Sequence, residues 1–192
     1  RRKASKFQFD RKVEEMKVLM INYSHVRNGA TAEIVNVVSE CLKDDKRSEV
    51  YVLTTLILVF VKDVERAIIQ QNGSHDEVDK IIEYYEWADI IILVSSSYWA
   101  DIPGQFKVFI DRYTPWCNTH EPHAILSTGK KGYVVALRTG TSMRECQHIF
   151  DSIEHFYGHL EVVFDRLGLC SVEYKNAVEQ RKDEIIEFCN KI

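Results

Sequence analysis

The chain has 192 residues, of which 45% are hydrophobic and 28% are charged, so one domain of this size can bury a core without disulfides or a metal. Its 25 basic and 29 acidic residues give a net charge of −4, which argues against a general nucleic-acid binder because such proteins need a basic face. The five cysteines are odd in number and form no C-x-x-C pair, which indicates reduced thiols rather than a disulfide framework or a cysteine-ligated metal.

The termini and the apolar runs predict where the protein resides and how it is divided. The N-terminal stretch lacks the apolar core of a secretory signal, and the most apolar run, residues 50–61, has 12 residues. A membrane helix needs about 20. We therefore expect a soluble cytoplasmic protein. Residues 1–15 are polar and basic and are interpreted as an N-terminal arm or an expression remnant, which leaves residues 16–192 as one domain.

Apolar runs alternate with amphipathic stretches along that domain, and these predict strands and helices respectively. The predicted strands cover residues 17–22, 48–53, 89–94, 132–137 and 161 to beyond 168, and the predicted helices cover residues 30–42, 64–70, 75–88, 103–114, 143–160 and 176–191. Residues 56–61 either extend the second strand or begin an irregular connection. The alternation implies an α/β fold: a doubly wound parallel sheet with helices on both faces and the strand order 2-1-3-4-5.

In such a sheet, ligands bind beyond the carboxyl ends of the strands, where the strand order reverses. The loop after the first strand leads into a helix N-terminus, which suits a phosphate because its backbone N–H groups are free. The candidate phosphate contacts in this loop are Ser24, His25, Arg27, Asn28, Gly29 and Thr31. The alternative is an ordinary capped helix start in which the polar residues only form turns. The loop contains neither G-x-G-x-x-G nor G-K-[ST].

The loops after the third and fourth strands are the other candidates. The first of them contains a run of hydroxyls and then two aromatics, namely Ser95, Ser96, Ser97, Tyr98 and Trp99. Aromatic side chains can pack on a flat heterocycle while hydroxyls bond its polar edge. Alternatively, the aromatics seal the end of the sheet or form a dimer interface. In the loop after the fourth strand, Arg138 could hold an anion or be structural, Thr139 follows it, and Gly140 permits close approach of a ligand.

Histidines and acids do not suggest a metal or a phosphorylation site. His148, His155 and His159 could share one helix face, and His120 and His123 flank a proline, but partners at diagnostic spacing are missing. We expect no metal. A phosphorylation-receiver domain would need an acidic residue where Ser95 stands.

Two stretches resemble a known family. Residues 95–98 followed by 106–112 match, in spacing throughout, the pattern S-P-V-Y then L-K-x-F-x-D-R of NADPH-dependent FMN reductases, which are flavodoxin-like proteins that include quinone reductases and iron–sulfur flavoproteins. Residues 23–31 resemble the phosphate loop of that family. The cysteine motif that holds the iron–sulfur cluster is absent, so no cluster is predicted.

The resemblance implies a function and roles for the loops. The phosphate of FMN would be contacted by Ser24, Asn28 and Thr31. Residues 95–99 would contact the isoalloxazine ring, and the loop around Gly140 would lie on the other side of that ring. NADPH or NADH would be the co-substrate, and the electron acceptor would be a quinone, a flavin or a similar small molecule. The protein would be a homodimer or a higher homo-oligomer. No catalytic residue is assigned, because the flavin carries the chemistry. The alternatives are a flavodoxin-like binding or partner protein with a degraded flavin site, and a one-electron carrier.

Overall fold

The five strands form one parallel sheet in the predicted order. The computed structural model describes residues 16–24, 26–44, 48–54, 77–119 and 125–192. The strands are β1 (Met16–Asn22), β2 (Ser48–Thr54), β3 (Ile90–Ser96), β4 (Lys131–Leu137) and β5 (Val163–Leu169). Their order is β2-β1-β3-β4-β5 and every neighbouring pair is parallel. The predicted fold class is therefore confirmed, with β1 next to β3 at the point where the strand order reverses.

Helices cover both faces of the sheet. They are α1 (Ala30–Asp44), α2 (Glu77–Trp87), α3 (Gly104–Arg112), α4 (Arg144–His159), α5 (Lys175–Glu179) and α6 (Lys182–Cys189). The face covered by α2, α3 and α4 is rich in aromatics, whereas the face covered by α1, α5 and α6 is mainly aliphatic. Alternate residues of the central strands supply the two cores, which is why β1, β3 and β4 are apolar on both sides.

Several predictions fall on other parts of the chain. The N-terminal arm, residues 55–76 and the histidines His25, His120 and His123 lie outside the described residues.

The prediction of a single closing helix over 176–191 is wrong. The chain leaves helical geometry at Arg181, whose φ is −113° and ψ 8°, and this residue separates α5 from α6. The Arg181 guanidinium donates from Nη1 to the carbonyl oxygen of Cys170 (2.7 Å) and pairs with Glu184. This tertiary contact ties the break to the end of β5. The helix predicted over 103–114 ends at Arg112, and a short 3₁₀ helix, Thr114–Trp116, follows it.

The described residues include no helix with the length and apolarity that crossing a membrane requires.

All five cysteines are free thiols. Cys146 and Cys189 are buried, and burial raises the pKa of these thiols to about 11 and about 12, so both stay protonated at neutral pH.

Candidate flavin site

A cleft of about 260 Å³ lies at the carboxyl ends of the strands, beside the point where the strand order reverses. It is formed by the loops that follow β1, β3, β4 and β5 together with the first turn of α1. The lining residues are Ser24, Val26, Gly29, Ala30, Thr31, Ser96, Ser97, Tyr98, Leu137, Arg138, Thr139, Val172 and Glu173. The topology therefore brings the hydroxyl-rich loop near residue 24 and the aromatic loop near residue 98 into one cleft.

The loop after β1 is folded onto the start of α1 by its own hydrogen bonds. The backbone N–H of Ser24 donates to Oδ1 of Asn22 (3.0 Å), and the N–H of Val26 donates to Oγ of Ser24 (3.1 Å). The N–H of Gly29 then donates to the carbonyl of Val26 (3.3 Å). Because Oγ of Ser24 accepts from Val26, its hydroxyl proton is available to a ligand in the cleft.

Two hydroxyls of the cleft lining are buried without a partner. Oγ1 of Thr31 and Oγ of Ser96 make no hydrogen bond to any described residue, and Thr31 is only 2% exposed. Buried hydroxyls in proteins are nearly always hydrogen-bonded, so an orphaned pair calls for a reason. Both line the cleft, and Thr31 lies in the first turn of the 15-residue helix α1. A polar ligand that accepted from these hydroxyls would supply the missing partners.

The loop after β3 makes a tight turn in which the aromatic side chains are displayed. Tyr98 and Asp101 exchange backbone hydrogen bonds of 2.9 and 3.1 Å. Between them, Trp99 and Ala100 have φ values of 53° and 64°, a left-handed pair that normally calls for Asn-Gly. A ring nitrogen of His148, Nδ1, donates to the carbonyl of Ala100 (2.9 Å) and holds the turn from α4. Backbone strain maintained in this way is common at binding sites.

A carboxylate that the sequence analysis did not single out joins the two loops on the β4 side of the cleft. Glu145, in the first turn of α4, accepts from Oγ of Ser97 at Oε2 (2.8 Å) and pairs with Nη2 of Arg138 at Oε1 (2.8 Å). Arg138 also donates from Nη1 to the carbonyl of Ser142 (2.8 Å). The sequence signal for Glu145 was only an acidic residue at a helix start, which usually serves the helix dipole.

Gly140 provides space for a neighbouring side chain. A Cβ atom on Gly140 would lie 2.0 Å from Nη2 of Arg138, so the guanidinium occupies the space that a side chain would fill. The glycine therefore accommodates Arg138, and its contact with a ligand stays a prediction.

The other predicted contacts are placed as follows. Arg27 and Asn28 are exposed in the loop after β1, and Ser95 is fully buried within β3 with its Oγ near the carbonyl of Ser96. Trp99 is fully exposed and is not part of the cleft lining, whereas Tyr98 lines the cleft and is 37% exposed.

Tyr23, which precedes the phosphate loop, belongs to the core. Its ring stacks on Phe106 with centroids 3.8 Å apart, and burial raises the pKa of its phenol well above the usual value. It remains a neutral packing residue at physiological pH.

The described lining contains one guanidinium, Arg138, and one carboxylate, Glu173, and neither histidine nor cysteine. Such a set suits holding and orienting a ligand, since a nucleophile with an adjacent base is absent from these residues. Elsewhere, Nε2 of His155 and Nε2 of His159 lie 3.3 Å apart on α4, and no group of three His, Cys, Asp or Glu among the described residues could hold a metal ion.

The fold and the position of the cleft define a flavodoxin-like α/β domain with a candidate ligand site at the switch point. Residues 16–164 match the model of the family described as NADPH-dependent FMN reductase. The chain belongs to this family of oxidoreductases, whose cofactors are FMN and NAD(P)H. No curated protein sequence matches the chain significantly.

Solved structures share the fold at low sequence identity. Smu.1420 from Streptococcus mutans UA159 is 17% identical with a TM-score of 0.71, and the match covers 92% of this chain and 100% of that one. An FMN-dependent NADH-azoreductase from Bacillus anthracis, solved in complex with FMN, is 10% identical with a TM-score of 0.67, and the match covers 92% of this chain and 98% of that one. An NAD(P)H:quinone oxidoreductase from Methanothermobacter marburgensis is 15% identical with a TM-score of 0.66, and the match covers 92% of this chain and 94% of that one.

Proposed function

We propose that this chain binds FMN in the cleft at the carboxyl edge of its sheet and passes electrons from NAD(P)H to a quinone, a flavin or a similar small planar acceptor. The observation that carries the proposal is the meeting of a helix N-terminus bearing an orphaned hydroxyl with an aromatic loop in a single cleft. A structural neighbour named as a quinone oxidoreductase and another named as an azoreductase support this class of acceptor.

The phosphate end of the cleft consists of Ser24, Gly29 and Thr31. Its donors are the hydroxyls of Ser24 and Thr31 and the backbone N–H groups that open α1, where the helix dipole favours an anion. Arg27 is close in sequence and exposed, so it adds positive charge without being buried. A phosphate held here would give the orphaned Oγ1 of Thr31 an acceptor.

The ring end consists of Ser96, Ser97, Tyr98, Arg138 and Thr139, contributed by the loops after β3 and β4. It is separated from β1 by up to two strand spacings, about 10 Å in all, a span that suits a five-carbon sugar-alcohol chain between a phosphate and a ring. Oγ of Ser96 is the orphaned donor at this end. Bound at these residues, FMN would supply hydride acceptance from NAD(P)H and electron transfer to the acceptor.

The protein's part in the reaction is to position two flat rings against each other and to exclude competing reactions. Tyr98 lines the cleft, and the fully exposed Trp99 follows it on the strained turn. We assign both aromatics to the surface that receives the nicotinamide and the acceptor. The apolar Val172 and the carboxylate of Glu173, from the loop after β5, also line the cleft.

The alternative of a partner protein with a degraded flavin site rests on the first loop, in which Tyr23, His25 and Val26 stand where the phosphate loop of the family has glycine, proline and arginine. The orphaned hydroxyls favour the flavin-binding proposal instead, because a site that has lost its ligand has no use for buried donors without partners.

We also propose that the protein is cytoplasmic and assembles as a homodimer or higher homo-oligomer.

The test is a spectrum followed by an assay. Purified full-length protein saturated with FMN and passed through a desalting column should stay yellow, with flavin absorption in about one-to-one ratio to protein. NADPH or NADH should bleach that colour, and adding a quinone should restore it with continuous consumption of the nicotinamide. Protein that emerges colourless rejects the flavin site. Colour without any acceptor-dependent turnover supports a one-electron carrier instead.

A further inference from the structure

We propose that Glu145 is a positioning residue that neutralises Arg138 at the ring end of the cleft and thereby lowers the reduction potential of bound FMN. The inference rests on the proposed function, and it concerns a residue outside the cleft lining. It follows from the geometry of the Ser97–Glu145–Arg138 network, not from the family pattern.

The first step is that Glu145 is fully committed to the two ring-end loops. One carboxylate oxygen accepts from Oγ of Ser97 and the other pairs with Nη2 of Arg138, each at 2.8 Å. Ser97 follows β3 and Arg138 follows β4, and the N–H of Ser97 donates to the carbonyl of Leu137 (2.8 Å). One side chain from α4 therefore fixes the relative position of both loops.

The second step is that the Arg138 guanidinium is held beside the cleft and cannot move away freely. Nη1 is bonded to the carbonyl of Ser142, Nη2 to Glu145, and the group lies over Gly140, where any side chain would displace it. The side chain of Arg138 is 15% exposed and that of Glu145 is 29% exposed. Charges that are shielded from water to this degree act more strongly on a neighbouring ligand than surface charges do.

The third step is electrostatic. Arg138 is the one cation in the described lining of the cleft, and Glu145 is its counter-ion. A flavin ring gains negative charge when it is reduced, and charge near its nitrogen atoms tunes its potential. An unpaired Arg138 would favour the reduced ring, and the carboxylate of Glu145 cancels most of that preference. Glu145 thus keeps the reduced cofactor a stronger donor of electrons to the acceptor.

The experiment is a double-mutant cycle read as the midpoint potential of FMN-saturated protein. Glu145→Gln keeps the shape and leaves Arg138 unpaired, so reduced FMN should gain roughly tenfold in affinity relative to oxidised FMN. For a two-electron couple this is a rise of about 30 mV. Arg138→Met leaves the carboxylate unpaired, and the potential should fall by a comparable amount. The double variant should return close to the wild-type value.

The shifts in midpoint potential should have opposite signs in the two single variants. A merely structural role of Glu145 would not give this result, because a loosened cleft would weaken FMN binding in both variants without shifting the potential according to the charge removed. Glu154→Gln, an exposed carboxylate further along α4, is the matched control and should leave the potential unchanged. Circular dichroism checks that each variant folds, and if Glu145→Gln does not, Glu145→Met, which also removes the negative charge, should show the same rise. Equal potentials in folded wild type and single variants overturn the inference, whereas wild type that binds no FMN overturns the proposed function.

Discussion

The two ends of the cleft are built on opposite principles. At the phosphate end, the hydroxyls of Ser24 and Thr31 keep donors available, and Thr31 has no partner among the described residues. At the ring end, Glu145 already pairs with Ser97 and with Nη2 of Arg138, and only Oγ of Ser96 and Nε of Arg138 lack a partner among the described residues. The difference indicates that the phosphate end mainly supplies affinity, since its bonds are made only with the ligand, and that the ring end mainly supplies geometry, since the bonds of Glu145 exist beforehand.

The largest expected effect is on affinity at the phosphate end. Thr31→Val removes the orphaned hydroxyl while keeping the shape, so the dissociation constant of FMN should rise about 10- to 100-fold, as expected for a hydrogen bond to a charged group worth about 1.5–3 kcal/mol. Riboflavin, which has no phosphate, should bind as it does to wild type. Isothermal titration with both ligands measures the contrast.

The control for this change is Thr128→Val, which alters an exposed threonine before the amino end of β4, away from the cleft at the carboxyl ends of the strands. This substitution should change the affinity for neither FMN nor riboflavin. The Tm of ligand-free Thr31→Val should not fall below that of wild type, because the lost hydroxyl has no partner among the described residues and its removal relieves the cost of burying it. Equal weakening of FMN and riboflavin would show that Thr31 does not bind the phosphate.

The next effect is on stability at the ring end. Ser97→Ala removes the bond to Oε2 of Glu145, and we expect a loss of about 1 kcal/mol, or roughly 2–4 °C in Tm for a chain of this size. The affinity for FMN should change by less than about threefold. Thermal unfolding of the ligand-free protein provides the measurement, with the exposed Ser127→Ala as its matched control. A pattern like that of Thr31→Val, with affinity lost and Tm kept, would remove the contrast between the two ends.

The smallest effect concerns the strained turn. Asparagine tolerates the positive φ of Trp99 better than tryptophan does, so Trp99→Asn should raise stability by about 0.5–1 kcal/mol, roughly 2 °C in Tm. Turnover with a quinone should fall because the exposed aromatic surface is lost. Trp99→Phe keeps both the aromatic and the strain, and it should show neither change. A lower Tm for Trp99→Asn would mean that the side chain stabilises the turn.

Much of the fold could be predicted from the sequence because the central strands are continuous apolar runs, and a run such as residues 89–94 fits only a strand covered on both faces. The strand order followed from the alternation of elements and from the handedness of crossovers. The break between α5 and α6 could not be predicted in the same way. It depends on Arg181 reaching the carbonyl of Cys170, a contact that no periodicity records.

The position of the candidate site could be predicted from the sequence, but its turn conformation and its side-chain hydrogen bonds could not. The switch-point rule places the loops near residues 24, 98 and 138 at one edge of the sheet, and the structure brings them together. The turn at Trp99 and Ala100 lacks the Asn or Gly that signals positive φ. No sequence signal indicates the contacts of Glu145 with Ser97 and Arg138, because these partners lie on other elements and only the packing of α4 brings them within reach.

Helix α1 connects the cleft with the far end of the chain. Its first turn forms the phosphate end, while Val38 and Leu42 on its flank share a core with Val178, Ile185 and Phe188 of α5 and α6. Local opening of the C-terminal helices exposes that flank, so a ligand that anchors α1 also protects them. Amide exchange and protease cleavage near the carboxyl terminus should therefore slow when the cleft fills, which makes the tail a remote reporter of occupancy.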